Sequence, residues 1–123
     1  MNGFFLVNKE KNYTSNDVVQ KIKKKFCLKK VGHLGTLDPI AEGLIILAVN
    51  RATKFSNYFL ESDKSYFVEI KLGVSTDTHD ITGQIVAKAP VKVTEKALKN
   101  EINDFLGTSF QKPPYFSALK HKG

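Results

Sequence analysis

The chain has 123 residues, 41% of them apolar, 25% charged and 11% aromatic, which is the size and make-up of one domain with a buried core. That balance argues against two independent domains, a disordered polymer or a collagen-like one. The 19 Lys and Arg against 12 Asp and Glu leave a net charge of +7, which points to an anionic partner and says little about the fold.

Gly3 to Val7 predicts a short strand and Asn8 to Tyr13 a polar turn. Thr14 or Ser15 can cap the helix that follows, with Asp17 in its first turn. Val18, Val19, Ile22 and Phe26 recur at helical spacing and form an inward stripe, which leaves Gln20, Lys21, Lys23, Lys24 and Lys25 largely outside. With Lys9, Lys11, Lys29 and Lys30, residues 1–30 hold eight lysines against Glu10 and Asp17, a positive field suited to phosphate. A solvated lysine face without a partner fits the same charges. Arg51 is the only arginine, so bidentate reading of phosphates or guanines is not written here. Val31 to Gly43 is broken by glycines and a proline and predicts a long loop. Leu44 to Val49 is an apolar run suited to a strand buried on both faces, although periodicity alone leaves a buried helix open, and Ala52 to Leu60 predicts a short helix with Phe55, Phe59 and Leu60 inward. Tyr66, Val68, Ile70 and Leu72 alternate with Phe67, Glu69 and Lys71 as in a half-exposed strand ended by Gly73. Val74 to Thr82 predicts a polar loop and Gly83 to Ala89 a partner strand, an antiparallel pair within residues 66–89. Thr94 can cap a helix with apolar positions Ala97, Leu98, Ile102, Phe105 and Leu106, stopped by Gly107. In the tail, Tyr115, Ser117 and Leu119 alternate again after Pro113-Pro114. Strands interspersed with helices make the expected class α+β, a mixed, largely antiparallel sheet with flanking helices.

The longest apolar run is far short of the ~20 residues of a membrane-spanning helix. Lys9 and Glu10 follow Phe4 to Val7 too closely for a signal peptide, and the single Cys27 has no partner for an internal disulfide, so a cytoplasmic protein away from membranes is expected.

Special backbone residues gather around one acid in the segment Gly32 to Gly43. Gly32, Gly35 and Gly43 allow conformations closed to other residues, and Pro39 restricts the chain directly after Asp38, so the loop can hold a carboxylate rigidly. An aspartate before proline is also a common turn former without a chemical task. His33 with Asp38 and Ser15, Ser56 or Ser117 could be drawn as a hydrolase relay, but no nucleophile-elbow pattern surrounds any of these serines. His33, Asp38, Asp77, His79 and Asp80 match none of the familiar zinc or calcium spacings, so no metal is expected. Gly32-His33-Leu34-Gly35 satisfies the Gly-x-x-Gly of a KH RNA-binding loop, although such a loop would join two helices.

Val31 to Phe59, VGHLGTLDPIAEGLIILAVNRATKFSNYF, closely resembles the catalytic motif of the TruB-type tRNA pseudouridine synthases. The likeness continues through Asp63-Lys64-Ser65-Tyr66, the run Leu72 to Asp80, Gly83 to Val86 and Gln111 to Lys120, and it includes Gly3 to Lys9 with Thr14-Ser15. It implies the pseudouridine synthase fold and conversion of uridine 55 in the tRNA T loop to pseudouridine, without cofactor or metal. It assigns Asp38 as the catalytic aspartate, Tyr66 to the flipped base and His33 to the reorganised loop, and places Lys64 and Asp80 at the edge of the site. Without it, Tyr66 would read as a cross-strand packing residue. Lys21, Lys23, Lys24, Lys25, Lys29 and Lys30 would then meet the RNA backbone.

Members of that family are longer, and their second half supplies further strands and an arginine that pairs with the aspartate, a place Arg51 does not match. Residues 1–123 are therefore expected to be the amino-terminal part of a catalytic domain, inactive alone and prone to self-association through uncovered apolar surface. The competing expectation is a non-catalytic RNA-binding module built on the basic helix and the Gly-x-x-Gly loop.

Overall fold

In the computed structural model, residues 1–112 are described, and the expected alternation of Tyr115, Ser117 and Leu119 lies outside them. The chain divides into two compact units, Met1–Tyr66 and Phe67–Gly123.

In the first unit, period-two alternation makes Gly3–Lys9 a strand, β1, with Phe5 and Val7 on one face and Phe4 and Leu6 on the other. The short strand β2, Val31–His33, and the apolar strand β3, Gly43–Val49, complete a sheet of order β1-β3-β2 in which both pairings are antiparallel. As the central strand, β3 needs cover on both faces, and its unbroken apolar run answers that need. Leu47, Ala48 and Val49 are buried, although Leu44 at the other end is exposed. Burying a Leu or Val side chain contributes roughly 1.5–3 kcal/mol.

One face of the sheet is covered by helix α1, Ser15–Lys25. The helix begins where it does because Thr14 forms a capping box with Asp17: the Thr14 hydroxyl accepts from the Asp17 amide, and the Asp17 carboxylate accepts from the Thr14 amide. Val18 and Val19 pack on Ile45 and Leu47, with Phe5, Val7, Ile22, Val31 and Leu37 around them. Phe26, expected in that stripe, is instead the exposed C-cap residue, its ring stacked on Phe5 at 5.1 Å. The opposite face is covered by Leu34, Ala52 and Phe59 against Ile46 and Ala48.

Three further sequence expectations are corrected in this unit. The segment expected to be loop from Val31 contributes β2, because the second edge of β3 is open to it and a glycine fits a short edge strand; the ladder runs on through Leu34 N–H to the Ile46 carbonyl, 2.8 Å. The single helix expected over Ala52 to Leu60 is a 3-10 helix, Asn50–Phe55, followed by a short helix α2, Ser56–Leu60. The tighter winding changes the phase of the side chains, so Phe59 packs inward while Phe55 and Leu60 are exposed.

In the second unit, strands β4, Val74–Thr76, and β5, Ile85–Lys88, pair antiparallel with an irregularity between Ser75 and Thr76. The expected pair exists, but its first strand lies later than the alternation suggested. Residues 66–71 form no strand, and both sets of alternating side chains, Phe67 with Val68 and Ile70, are exposed. Alternation specifies a strand only where a neighbour takes up its hydrogen bonds and a layer covers one face. Gly73 turns the chain at φ +78°, its carbonyl accepts from Ala89 N–H at 3.0 Å, and a Cβ there would lie 2.6 Å from the Ala89 oxygen. Helix α3, Glu95–Asn103, is capped by the Thr94 hydroxyl, which accepts from Ala97 N–H at 3.2 Å. Helices with small antiparallel sheets make the chain α+β, as expected.

Candidate functional site

Residues 34–42 connect β2 to β3 and carry Asp38 near their tip, with the carboxylate exposed. The backbone beneath it is fixed. The Asp38 carbonyl accepts from Ala41 N–H at 3.0 Å, which closes a turn around Pro39, and the Pro39 carbonyl accepts from Asn12 N–H at 2.7 Å. On the other side of Asp38, the Ser15 hydroxyl accepts from Leu37 N–H at 2.9 Å and donates to the Leu37 carbonyl at 3.0 Å. The stretch that supplies these partners is itself tied down. Lys9 is only 1% exposed, and its ammonium donates to the carbonyls of Tyr13, 2.8 Å, and Glu10, 3.1 Å, across the turn containing Asn12.

Beside this loop lies a cleft of about 260 Å³ lined by Leu34 to Leu37, by Leu44 to Ile46, by Phe59 and by Ser62 to Tyr66. Tyr66 contributes a ring that is 65% exposed. Lys64 lines the cleft with its stem, while its ammonium donates to three carbonyls at the end of α2, those of Phe59 (3.2 Å), Leu60 (2.9 Å) and Ser62 (2.8 Å). That capping folds the 59–66 segment back towards the Asp38 loop: a Cβ on Gly35 would lie 3.9 Å from Lys64 Cε. His33 is half-buried with Nδ1 3.0 Å from the Gly35 carbonyl. Because a carbonyl only accepts, Nδ1 carries the proton in that contact.

Four of the five anticipated site residues, His33, Asp38, Lys64 and Tyr66, thus belong to the first unit and gather around the Asp38 loop and its cleft. Asp80 belongs to the second unit, where it organises its own turn. Its Oδ1 accepts from the hydroxyls of Thr82 (2.6 Å) and Thr78 (2.8 Å) and from Thr82 N–H (2.7 Å), and these bonds, the Thr82 hydroxyl foremost, hold its carboxyl below the usual carboxylate range.

Of the six lysines expected to face a polyanion, Lys23, Lys24 and Lys25 are exposed on the last turn of α1, where positive charge also favours the helix dipole. Lys29 and Lys30 are exposed just beyond it. Lys21 is exposed but engaged: its ammonium donates to the Tyr13 hydroxyl at 3.0 Å and lies 4.2 Å from that ring's centre, and the hydroxyl contact raises its pKa above the ordinary lysine value. Gly32 of the Gly-x-x-Gly lies in β2, so the tetrapeptide does not join two helices as a KH loop would. Among the described residues, no three His, Cys, Asp or Glu side chains are grouped as metal ligands, and no helix is long and apolar enough to cross a membrane.

Asn12 was not singled out for the site, and Ser15 only as a helix cap or hydrolase-relay candidate, never as a support for Asp38. One signal pointed to Ser15: a helix start needs one capping hydroxyl, and Thr14-Ser15 supplies two.

Residues 23–123 match the family model described as TruB family pseudouridylate synthase (N terminal domain). Over all 123 residues the chain is 52% identical to the tRNA pseudouridine synthase B of Acholeplasma laidlawii, covering 44% of that protein. It is 46% identical to the protein of the same name from Blochmanniella floridana and 44% identical to that from Aquifex aeolicus, again over the whole chain and over 48% and 43% of those proteins. The chain therefore spans somewhat less than half the length of these relatives.

Proposed function

The chain belongs to the TruB family of pseudouridylate synthases, and from that premise we propose that it carries the catalytic aspartate of a cytoplasmic enzyme that isomerises uridine to pseudouridine in tRNA, at uridine 55 of the T arm. The reaction breaks the bond between N1 of uracil and C1′ of ribose, turns the base and rejoins it through C5, whose proton is lost while N1 gains one. Cleavage develops positive charge at the sugar, and the Asp38 carboxylate stabilises or traps that charge or takes up a proton. The observation that carries the reading is the exposed carboxylate on a backbone pinned on both flanks, beside a cleft with an aromatic wall.

A base inside a folded RNA loop must leave its stack to react, and it needs a surface to receive it. The Tyr66 ring offers that face, His33 contacts the rearranged loop, and Lys64 and Asp80 border the substrate. Lys23, Lys24, Lys25, Lys29 and Lys30, with Lys21 beside Tyr13, meet phosphates and position the RNA without reading its sequence.

Release of label from tRNA carrying tritium at C5 of its uridines tests the reaction, measured on the full-length protein because residues 1–123 span less than half of their relatives. Asp38→Asn should lower the rate by about 10³-fold or more and leave tRNA affinity within about tenfold, since the amide keeps the shape and loses the charge. Undiminished release by the variant would overturn the assignment of Asp38. Tight tRNA binding by the unaltered protein without any release would replace the enzyme with an RNA-binding module.

A further inference from the structure

The Ser15 hydroxyl has no part in starting the helix it belongs to. Thr14 already caps α1, with its oxygen 3.1 Å from Asp17 N–H. A serine at the first helical position ordinarily turns its hydroxyl to water, yet Ser15 is only 4% exposed, and its hydroxyl bonds both polar backbone groups of one distant residue, Leu37. Burying a hydroxyl is unfavourable unless both of its roles, donor and acceptor, find partners, and here they do.

Leu37 directly precedes Asp38, and its carbonyl belongs to the peptide plane that joins the two residues. Orienting that plane sets φ of Asp38 and therefore the direction in which the carboxylate leaves the backbone. The far side of Asp38 is fixed separately, by the Pro39 ring and by the bond from Asn12 N–H to the Pro39 carbonyl. The Leu37 side chain packs with the core beneath α1, so it cannot turn the plane without leaving that core.

We propose that Ser15 is a positioning residue for the reaction: by holding the Leu37–Asp38 peptide plane against the first turn of α1, it aims the Asp38 carboxylate at the sugar of the target uridine. This rests on Asp38 being the reacting group. The anchor acts on direction and leaves the carboxylate's contacts with RNA alone. Its loss should therefore appear in turnover rather than in affinity, since an error of about 1 Å in a reacting group can lower rate by about 10²-fold.

The test compares the unaltered full-length protein with its Ser15→Ala, Ser15→Thr and Ser15→Cys variants, all with a tRNA transcript labelled at C5 of uridine. Ser15→Ala should lower kcat by about 10- to 100-fold with KM and tRNA Kd within about twofold. Ser15→Thr keeps the hydroxyl and should return kcat to within a few-fold of the unaltered protein. Exchange of the Leu37 amide hydrogen should quicken by about tenfold or more in Ser15→Ala while amides of β3 keep their protection. A kcat unchanged in Ser15→Ala overturns the proposal. So does a loss that merely follows the fraction of folded protein and that Ser15→Thr fails to restore. If Ser15→Ala does not fold, Ser15→Cys decides: lowered kcat at an unchanged Tm supports the role, and unchanged kcat refutes it. An unaltered protein that releases no label overturns the proposed reaction and the role in it, whereas faster Leu37 exchange in Ser15→Ala would still establish the anchor by itself.

Discussion

In residues 1–66, Leu47 is 0% exposed and the buried polar groups of Lys9 and Ser15 each have hydrogen-bond partners. In residues 67–112, Phe105 and Leu106, just beyond α3, are 81% and 79% exposed, and none of the described residues is buried. The first unit is therefore held by exclusion of water from both faces of β3. The second is held by local backbone devices: the turn at Gly73, the Asp80 turn, the Thr94 cap and the Glu95–Lys99 pair at 2.6 Å. Two regions of one chain can carry equally well-formed helices and hairpins for different physical reasons, and they should fail differently when altered.

The largest contrast should come from matched truncations. Leu47→Ala leaves a cavity in the central strand and should cost about 2–5 kcal/mol, whereas Leu106→Ala removes an exposed side chain and should stay within about 0.5 kcal/mol. Residue-resolved hydrogen exchange reads both, and similar losses would erase the distinction. Next comes Gly73→Ala, where a Cβ would meet the Ala89 carbonyl oxygen and the backbone is in the left-handed region. A cost of about 1–3 kcal/mol is expected, confined to the β4–β5 hairpin and read at the Ala89 amide. If β3 amides lose protection too, the units are not independent in stability.

The smallest effect is acid sensitivity. Hydrogen bonds lower the pKa of Asp80, chiefly that from the Thr82 hydroxyl, and of Asp17, chiefly that from the Thr14 hydroxyl. A folded pKa below the unfolded one means the contribution is present above the ordinary aspartate value, about 3.9, and fades as pH falls through the lowered value. The Thr82 and Thr14 amides should shift together in that acid window in an NMR titration, while Leu47 does not. Movement of the two amides near neutral pH would contradict the assigned cause.

Helix α1 was legible because Thr14 and Asp17 mark its start and Val18, Val19 and Ile22 its buried face; β3 was legible as an apolar run suited to a strand buried on both faces, a buried helix being the alternative that periodicity left open. β2 was not, since three residues centred on Gly32 show no period and exist as a strand only through the open edge of β3. The Tyr66 to Leu72 alternation misled for the converse reason: the pattern is present and the pairing is not. Asp38 stood out through its neighbours Gly35 and Pro39 and, decisively, through the ordered blocks of family likeness. The bracing of its flanks was invisible, because Ser15 and Leu37 are 22 residues apart and nothing local signals that a serine hydroxyl will reach the loop between β2 and β3.

Lys64 has a chemical consequence of its own. An ammonium has three protons to give, and those of Lys64 go to three backbone oxygens although the side chain stands at the surface. To meet an acylating reagent the nitrogen must swing away from those oxygens, which breaks the cap on α2. Lys23, Lys24 and Lys25 form no such cap, so in a surface-labelling experiment Lys64 would react more slowly than these three, its lag a readout of how firmly the end of α2 is closed.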